Sequence, residues 1–460
     1  DINADGLLDI YVCKSGDYPD LDYRRNELYI NKGNNAEGIP TFIEDASSYG
    51  LDLPNYSTQA SFFDYDRDGD LDMFLINSGI EPTALPTEKL LSIKSEYTSD
   101  KLFRNDDGMY KDVSEASGIV NNSLGFGLGI AVGDLNNDQW PDIVIGQDYS
   151  EKDHLYINQK DGTFKEVIKE ATNHISNFSM GNDIGDINND GWQDFMVVGE
   201  WTHIGVFLNN KGTFKDISQK SNLKNEKGWW YTIVETDINK DGYKDYLIGN
   251  VGSNIKHKVS NEKTMRIYAN DFDNNGSLDV VLSQEYNGIF VPSRGKECST
   301  QQMPFISEKI PTFSEFANAS LVDIYGEKIY DAYQREVNQF KSLLLINNTD
   351  GTFKKVVLPK LAQTMPILDG ETIDINKDGY EDLIVVGNIY NTEVGTPRLD
   401  NNYGLVLMSN KKDNYTVLGP NKTGLYIHGN AKSVALIKDK KTSLLIGLNN
   451  GIVQTFELAN

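Results

Sequence analysis

The chain has 460 residues, of which 39% are hydrophobic, so it can bury a sizeable core. Its 68 acidic residues against 43 basic ones give a formal charge of −25, which argues against nucleic acid or an anionic lipid surface as partner. No apolar run approaches the ~18 residues that a membrane-spanning helix needs.

A nine-residue pattern, D-x-[DN]-x-[DN]-[GQ]-x-x-D, opens the chain and recurs along it, and repeats of this kind define architecture before any single element does. The copies are Asp1–Asp9, Asp64–Asp72, Asp134–Asp142, Asp186–Asp194, Asp237–Asp245, Asp271–Asp279 and Asp374–Asp382. Each is followed by a short apolar run, such as Met73 to Ile76 or Ile143 to Ile145, which at that length and with Gly and Asn around it predicts a strand. Several are preceded by small or apolar residues, so the pattern predicts the turn between two strands. A second motif, apolar–x–apolar–x–Asn followed by a Gly or Asp turn and a strand with Phe or Tyr, lies between the loops. Leu155 to Val167, Val206 to Ile217 and Leu344 to Val356 show it, and it predicts a second hairpin. Two hairpins make a four-stranded antiparallel sheet, the blade of a β-propeller.

The expected fold is therefore all-β, a single propeller of seven or eight four-stranded antiparallel blades over residues 1–460, closed by N- and C-terminal strands. The first unit lacks its first strand, and Ser433 to Leu458 predicts three further strands around a degenerate turn at Lys438 to Thr442. The interval from Asp237 to Asp271 is too short for a complete second hairpin, and that from Asp271 to Asp374 requires an insertion. A mostly helical insertion is expected over 292–341, with helix from Thr312 to Phe340, Thr312 and Glu315 as its capping box and Gly326 dividing it.

The loops carry the chemistry. Calcium takes six to eight oxygens in flexible geometry, and positions 1, 3, 5 and 9 supply side-chain oxygens while position 7 supplies a carbonyl. The candidate ligands are Asp1, Asn3, Asp5, Leu7 and Asp9 in the first loop, and Asp64, Asp66, Asp68, Asp70 and Asp72 in the second. They are Asp134, Asn136, Asp138, Trp140 and Asp142 in the third, and Asp186, Asn188, Asp190, Trp192 and Asp194 in the fourth. The fifth offers Asp237, Asn239, Asp241, Tyr243 and Asp245, and the sixth Asp271, Asp273, Asn275, Ser277 and Asp279. The seventh offers Asp374, Asn376, Asp378, Tyr380 and Asp382. Up to seven structural Ca2+ ions are expected; hard oxygen donors without His or Cys disfavour zinc and copper. An EF-hand would need Glu at position 12, where Val12, Leu75, Ile145, Val197, Ile248, Leu282 and Val385 stand instead. The plain alternative is that the Asp-Gly clusters only form turns, an alternative strongest for the third loop with Gln139 at position 6 and the sixth with Asn275.

These loops, with FFDYDRDGDLDMFLIN and AVGDLNNDQWPDIVIG, resemble the FG-GAP/VCBS repeats of integrin-α-type β-propellers over nearly the whole chain. YSTQASFFDYDRDGDLD, FSMGNDIGDINNDGWQD and RGKECSTQQMPFI ahead of FANASLVDIYG resemble the bacterial CRTAC/ASPIC-UnbV-like group of exported repeat proteins, without an ASPIC/UnbV module. The resemblance implies an extracellular or outer-surface location. The chain begins inside a loop and without Met, as a piece of a longer polypeptide would.

Three functions fit: an adhesion or ligand-binding propeller, a carbohydrate-binding or carbohydrate-active one such as a lectin or lyase, and a structural module of a larger surface protein. The partner expected is a protein or glycan at the cell surface. For a glycan, Trp201, Trp229 and Trp230 with Arg294 and Lys296 are the candidate contacts, against the alternative that Trp229 or Trp230 is core. No catalytic residue stands out: His154, His174, His203, His257 and His428 form no metal or triad pattern. Cys13 and Cys298 are isolated, which is the usual pattern of inert thiols.

Overall fold

The computed structural model describes residues 1–79, 91–149, 151–172, 178–393, 395–410, 414–438 and 441–458. His174 and part of the turn at Lys438 to Thr442 lie outside them. The protein is mostly β, built of antiparallel sheets of the kind found in β-propellers. It divides into two compact units, Asp1–Val197 with Gly205–Ile217, and Val198–Ile204 with Ser218–Asn460.

In the first unit a three-stranded sheet (Ile10–Val12, Glu27–Asn34, Pro40–Glu44) comes first, one strand short of the others as expected. Two four-stranded sheets follow, Ser57–Phe63, Asp72–Asn77, Lys101–Asp106 and Met109–Asp112, then Gly127–Gly133, Asp142–Gln147, His154–Asn158 and Phe164–Glu166. The last is formed by Ser179–Gly185, the start of Asp194–His203, Gly205–Asn210 and Thr213–Asp216.

The strands after the second, third, fifth and seventh Asp loops are buried along their whole length, with apolar centres, because both of their faces are covered. Side chains alternate across a strand. Met73 and Leu75 accordingly join a core with Leu28, Ile30 and Phe103, while Phe74 and Ile76 join another with Ile143, Ile145 and Tyr156. Val144 turns the other way, toward Leu135, Leu155, Phe195 and Phe207. Within the first unit each of these sheets thus shares a core with the next, and a single polar substitution in such a strand would expose one core to an unpaired group.

Buried carboxyls tie the same sheets together. Asp100 accepts from Asn77 N (3.0 Å) and Gln147 Nε2 (3.1 Å), and Asp153 accepts from Gln147 N (2.9 Å) and Ser179 Oγ (2.9 Å). Burial pushes both carboxyls up to about 7. An unfolded aspartate titrates near pH 4. Between the two values the folded protein holds protons that the unfolded chain has lost, so this contribution to stability is complete below about pH 4 and is lost as pH rises through about 7. In saturating calcium, the melting temperature is expected to fall by several degrees between pH 5 and pH 8. The double variant Asp100→Asn, Asp153→Asn should show a shallower slope, and an unchanged slope would count against this linkage.

In the second unit, Lys227–Thr236, Asp245–Asn250, Leu343–Asn347 and Phe353–Val357 form one sheet, and Glu200 to His203 pair along its first strand. Asp369–Ile373, Asp382–Val386, Leu405–Ser409 and Tyr415–Leu418 form the next, and Ala431–Lys438, Thr442–Leu448 and Gln454–Glu457 a final three-stranded one. The strands expected in Ser433 to Leu458 are those of this last sheet.

The insertion differs from its expected form. It enters between Asp245–Asn250 and Leu343–Asn347, so it splits one sheet in sequence though not in hydrogen bonding. It carries its own four-stranded sheet, in the order Ile289–Pro292, Asp279–Tyr286, Met265–Asn270, Tyr333–Val337. The sixth Asp loop belongs to this inserted sheet. Short helices cover it: Lys296–Gln302, Phe305–Lys309, Phe313–Asn318 and Leu321–Tyr325. The capping box of Thr312 and Glu315 is present, with a second at Ser320 and Asp323, and Gly326 ends the last of these helices at φ 73°. The helix expected through Phe340 stops there. Tyr333–Val337 is a strand, paired from Met265↔Val337 to Ala269↔Tyr333, because an unfilled sheet edge outweighs a weak helical spacing. Phe272, Val281, Met303, Ile306, Leu321 and Ile324 give the insertion a core of its own.

Candidate metal loops

All seven Asp loops fold alike. The position-1 carboxylate caps the turn, one oxygen accepting from the N–H of position 5 and the other from that of position 6. In the fourth loop Asp186 accepts from Asp190 N at 3.0 Å and Gly191 N at 2.8 Å. Asp1, Asp64, Asp134, Asp237, Asp271 and Asp374 repeat the pair. The position-5 side chain accepts from the N–H of position 7, as Asp138 does from Trp140 (2.9 Å) and Asn275 from Ser277 (2.7 Å). The loops with Gln139 and Asn275 therefore keep the common frame.

Positions 4 and 6 are both left-handed. Position 6 is glycine in six loops, with φ between 85° and 102°, while Gln139 is held at 69°. A side chain costs roughly 1–2 kcal/mol in that conformation. Gln139→Gly is expected to raise stability by about 1 kcal/mol in urea unfolding, because the turn keeps its hydrogen bonds and loses the strain. A loss of stability would show that the Gln139 side chain contributes more than its backbone costs.

The ninth-position aspartate has a second task. Asp142 is fully buried; Oδ2 accepts from Leu135 N (2.9 Å) and Oδ1 from Asn158 N (2.8 Å). Asp72, Asp194 and Asp245 make the same two bonds, to Tyr65 and Asn105, Ile187 and Asn209, and Ile238 and Asn347. Asp9 and Asp382 do likewise, with Ser409 taking the asparagine's place for Asp382. Burial pushes Asp72, Asp142 and Asp194 up to about 7, against the pull of these N–H groups, and the other loop carboxylates add to the rise. The asparagine of the second motif completes the clamp. Asn209 Nδ2 donates to Leu135 O and Gln193 O, both at 2.7 Å, and its Oδ1 accepts from Gly212 N (2.8 Å). Asn31, Asn105, Asn158 and Asn347 do comparable work, which the sequence signalled only as a hairpin position.

The arrangement gathers negative charge. Where position 3 is also aspartate, carboxylate oxygens converge: those of Asp64, Asp66 and Asp72, and those of Asp271, Asp273 and Asp279, lie within 4.8 Å of one another. Asp66 Oδ1 and Asp70 Oδ1 are buried without a hydrogen-bond donor. Burial and the neighbouring carboxylates raise Asp70 to about 6 and also raise Asp66. Unpaired buried carboxylate oxygens crowded by like charge fit a hard cation. Ammonium groups reach other loops: Lys160 Nζ lies 3.1 Å from Asp138, Lys240 Nζ lies 3.1 Å from Glu381 and 3.9 Å from Asp374, and Lys328 Nζ donates to Asp271 O (2.6 Å). Neighbouring loops also touch, Arg67 resting 5.6 Å from the Trp140 ring centroid and Asn137 Nδ2 donating to Gly191 O at 2.9 Å.

The structure does not assemble the expected aromatic glycan contacts. Trp230 is fully buried, its Nε1 donating to Thr202 O and Glu226 O at 3.2 Å. Trp201 is also buried: a register shift between Glu200 and Thr202, with Trp201 at φ 59°, places it 5.4 Å from Trp229, and Trp229 packs on Phe340 at 4.8 Å. Trp201 and Trp230 are core, and the half-buried Trp229 packs against the cluster that holds Trp201, since aromatic rings gain by excluding water. Arg294 pairs with Glu393 at 3.2 Å, and Lys296 lies 5.8 Å from the Phe313 ring centroid. Burial drives His154 down to about 3, so it is neutral at physiological pH. Cys13 and Cys298 are free thiols, and burial raises Cys13 to about 12.

The FG-GAP-like repeat family matches residues 1–75, 134–197 and 186–248, which take in the first five of the seven loops whole. Those stretches carry FG-GAP-like repeats. Human integrin alpha-6 is 29% identical over 168 residues, covering 32% of this chain and 15% of the integrin. Integrin alpha-3 of Cricetulus griseus is 28% identical over 151 residues, 28% of this chain and 14% of the integrin. The chain thus matches only about a seventh of the length of these relatives. Among solved structures, an Agrocybe aegerita lectin that recognises non-reducing terminal N-acetylglucosamine aligns with TM-score 0.38 and 14% identity, over 89% of this chain and 79% of the lectin. Saccharomyces cerevisiae Sqt1 aligns with TM-score 0.40 and 10% identity, over 95% of this chain and 90% of that protein. Among the described residues no helix is long and apolar enough to cross a membrane.

Proposed function

We propose that this protein is an extracellular adhesion or ligand-binding module whose Asp loops hold divalent cations, calcium above others. The observation that carries the reading is the second loop, where Asp64, Asp66 and Asp72 converge and buried oxygens of Asp66 and Asp70 have no donor. Calcium suits the all-oxygen donor set, and no His or Cys is among the candidate ligands to favour a softer metal. The cation's task is structural: it neutralises a turn that otherwise concentrates like charge between two strands of a sheet. The resemblance to integrin α chains supports a protein ligand and a location outside the cell. The test is metal content after desalting from millimolar calcium, by plasma mass spectrometry. Several calcium ions per chain, up to one for each of the seven loops, are expected; a metal-free protein would overturn the reading.

A further inference from the structure

The final sheet carries no Asp loop, yet it borders a cavity of about 430 Å³, within the range of small-ligand pockets. Five amide residues, Asn391, Asn430, Asn449, Asn450 and Gln454, line it beside the apolar Leu448 and Ile452. No Asp, Glu, Lys or Arg is among its lining residues, in a chain whose formal charge is −25. An uncharged pocket on so acidic a protein offers nothing to select an ion.

Hydrogen bonds to the backbone fix the segments that form the wall. Gln454 Nε2 donates to His428 O (2.5 Å) and His428 N donates to Gln454 Oε1 (3.2 Å), which fixes the start of the last strand against the segment before Asn430. Asn449 N donates to Asn430 O at 2.9 Å. Asn430 is 7% exposed and its Oδ1 has no donor from the protein. Asn391, Asn449 and Asn450 are exposed. An amide side chain such as that of Asn391, Asn449 or Asn450 carries a donor pair beside an acceptor, which is what a hydroxyl that both gives and takes a hydrogen bond requires. Aromatic rings adjoin the amides at one side. His428 lies 4.7 Å from Tyr426, which stacks on Tyr403 at 4.9 Å, and both tyrosines are exposed. Exposed stacked rings next to a polar cavity suit a ligand with apolar C–H faces and hydroxyl edges.

We propose that this pocket binds a neutral saccharide. The inference deepens the ligand-binding reading above, and moves the glycan contact from the buried tryptophans to the C-terminal sheet. Uronic acids are disfavoured, because no cation lines the cavity.

The test is saturation-transfer-difference NMR on the full chain in millimolar calcium, against neutral hexoses, their methyl glycosides and disaccharides, with glucuronic and galacturonic acids for comparison. Transfer to the ring protons of at least one neutral sugar is expected. Asn391→Ala with Asn450→Gly should weaken its affinity at least tenfold; glycine is chosen because Asn450 sits at φ 53°. Tyr330→Ala, at an exposed ring outside the pocket, should leave it unchanged. No transfer to any neutral sugar, transfer that survives the double substitution with the fold intact, or a preference for the uronic acids would each overturn the proposal. A melting temperature that ignores a chelator while sugar binding persists would instead count against the cation loops alone.

Discussion

Asp142→Ala is expected to destabilise the protein by about 2–6 kcal/mol, because it strands two buried N–H groups at roughly 1–3 kcal/mol each. The carboxylate is fully buried and receives Leu135 N on one oxygen and Asn158 N on the other. It therefore joins the loop to the third strand of the same sheet. Asn158 extends the link, donating to Tyr65 O at 2.8 Å in the sheet before. Asp142→Asn should be destabilising too, since an amide offers a single acceptor where two are used. The measurement is urea unfolding in excess chelator, which removes any ligand role from the comparison. A loss below about 0.5 kcal/mol, the size of an ordinary surface substitution, would show that the clamp does not hold the sheet.

Chelation should lower the melting temperature by on the order of 10 °C if several loops are filled, since each site at a hundredfold excess over its dissociation constant contributes about 2.7 kcal/mol. Asp66→Asn separates ligation from repulsion. Asp66 Oδ1 is buried without a donor beside Asp64 and Asp72. In chelator the substitution removes one of the crowded carboxylates and should raise stability. In millimolar calcium it removes a ligand charge and should lower stability relative to wild type. A change of the same sign in both conditions would mean that Asp66 acts only through the turn.

The loops were legible because their chemistry is local. Seven copies with aspartate at positions 1 and 9 need no tertiary knowledge, and the turn they predict is closed by hydrogen bonds within nine residues. Gln139 and Asn275 leave the turn intact for the same reason: position 1 accepts from backbone N–H groups, which every residue there supplies. The asparagine of the second motif was visible, but not its task, since its partners are carbonyls distant in sequence, such as Leu135 O for Asn209. The tryptophans illustrate the opposite limit. Neighbouring positions on a strand point to opposite faces, yet Trp201, Trp229 and Trp230 all pack into the protein, because a shifted register at Glu200 and Thr202 turns Trp201 inward and Phe340 covers Trp229.

By itself, the sequence determined the all-β class, the repeated Asp loops, the short strands behind them and the three-stranded sheets at either end of the chain. These follow from periodicity and turn chemistry, which act over a few residues. Only the tertiary structure decided that the sixth loop sits in an inserted sheet, that Tyr333–Val337 is a strand, and that amides from three separate segments line one cavity. In each case the deciding partner is remote in the chain: an open sheet edge at Met265–Asn270, or a wall assembled around Asn391, Asn430 and Asn450. Local propensity cannot encode a partner that only folding brings near.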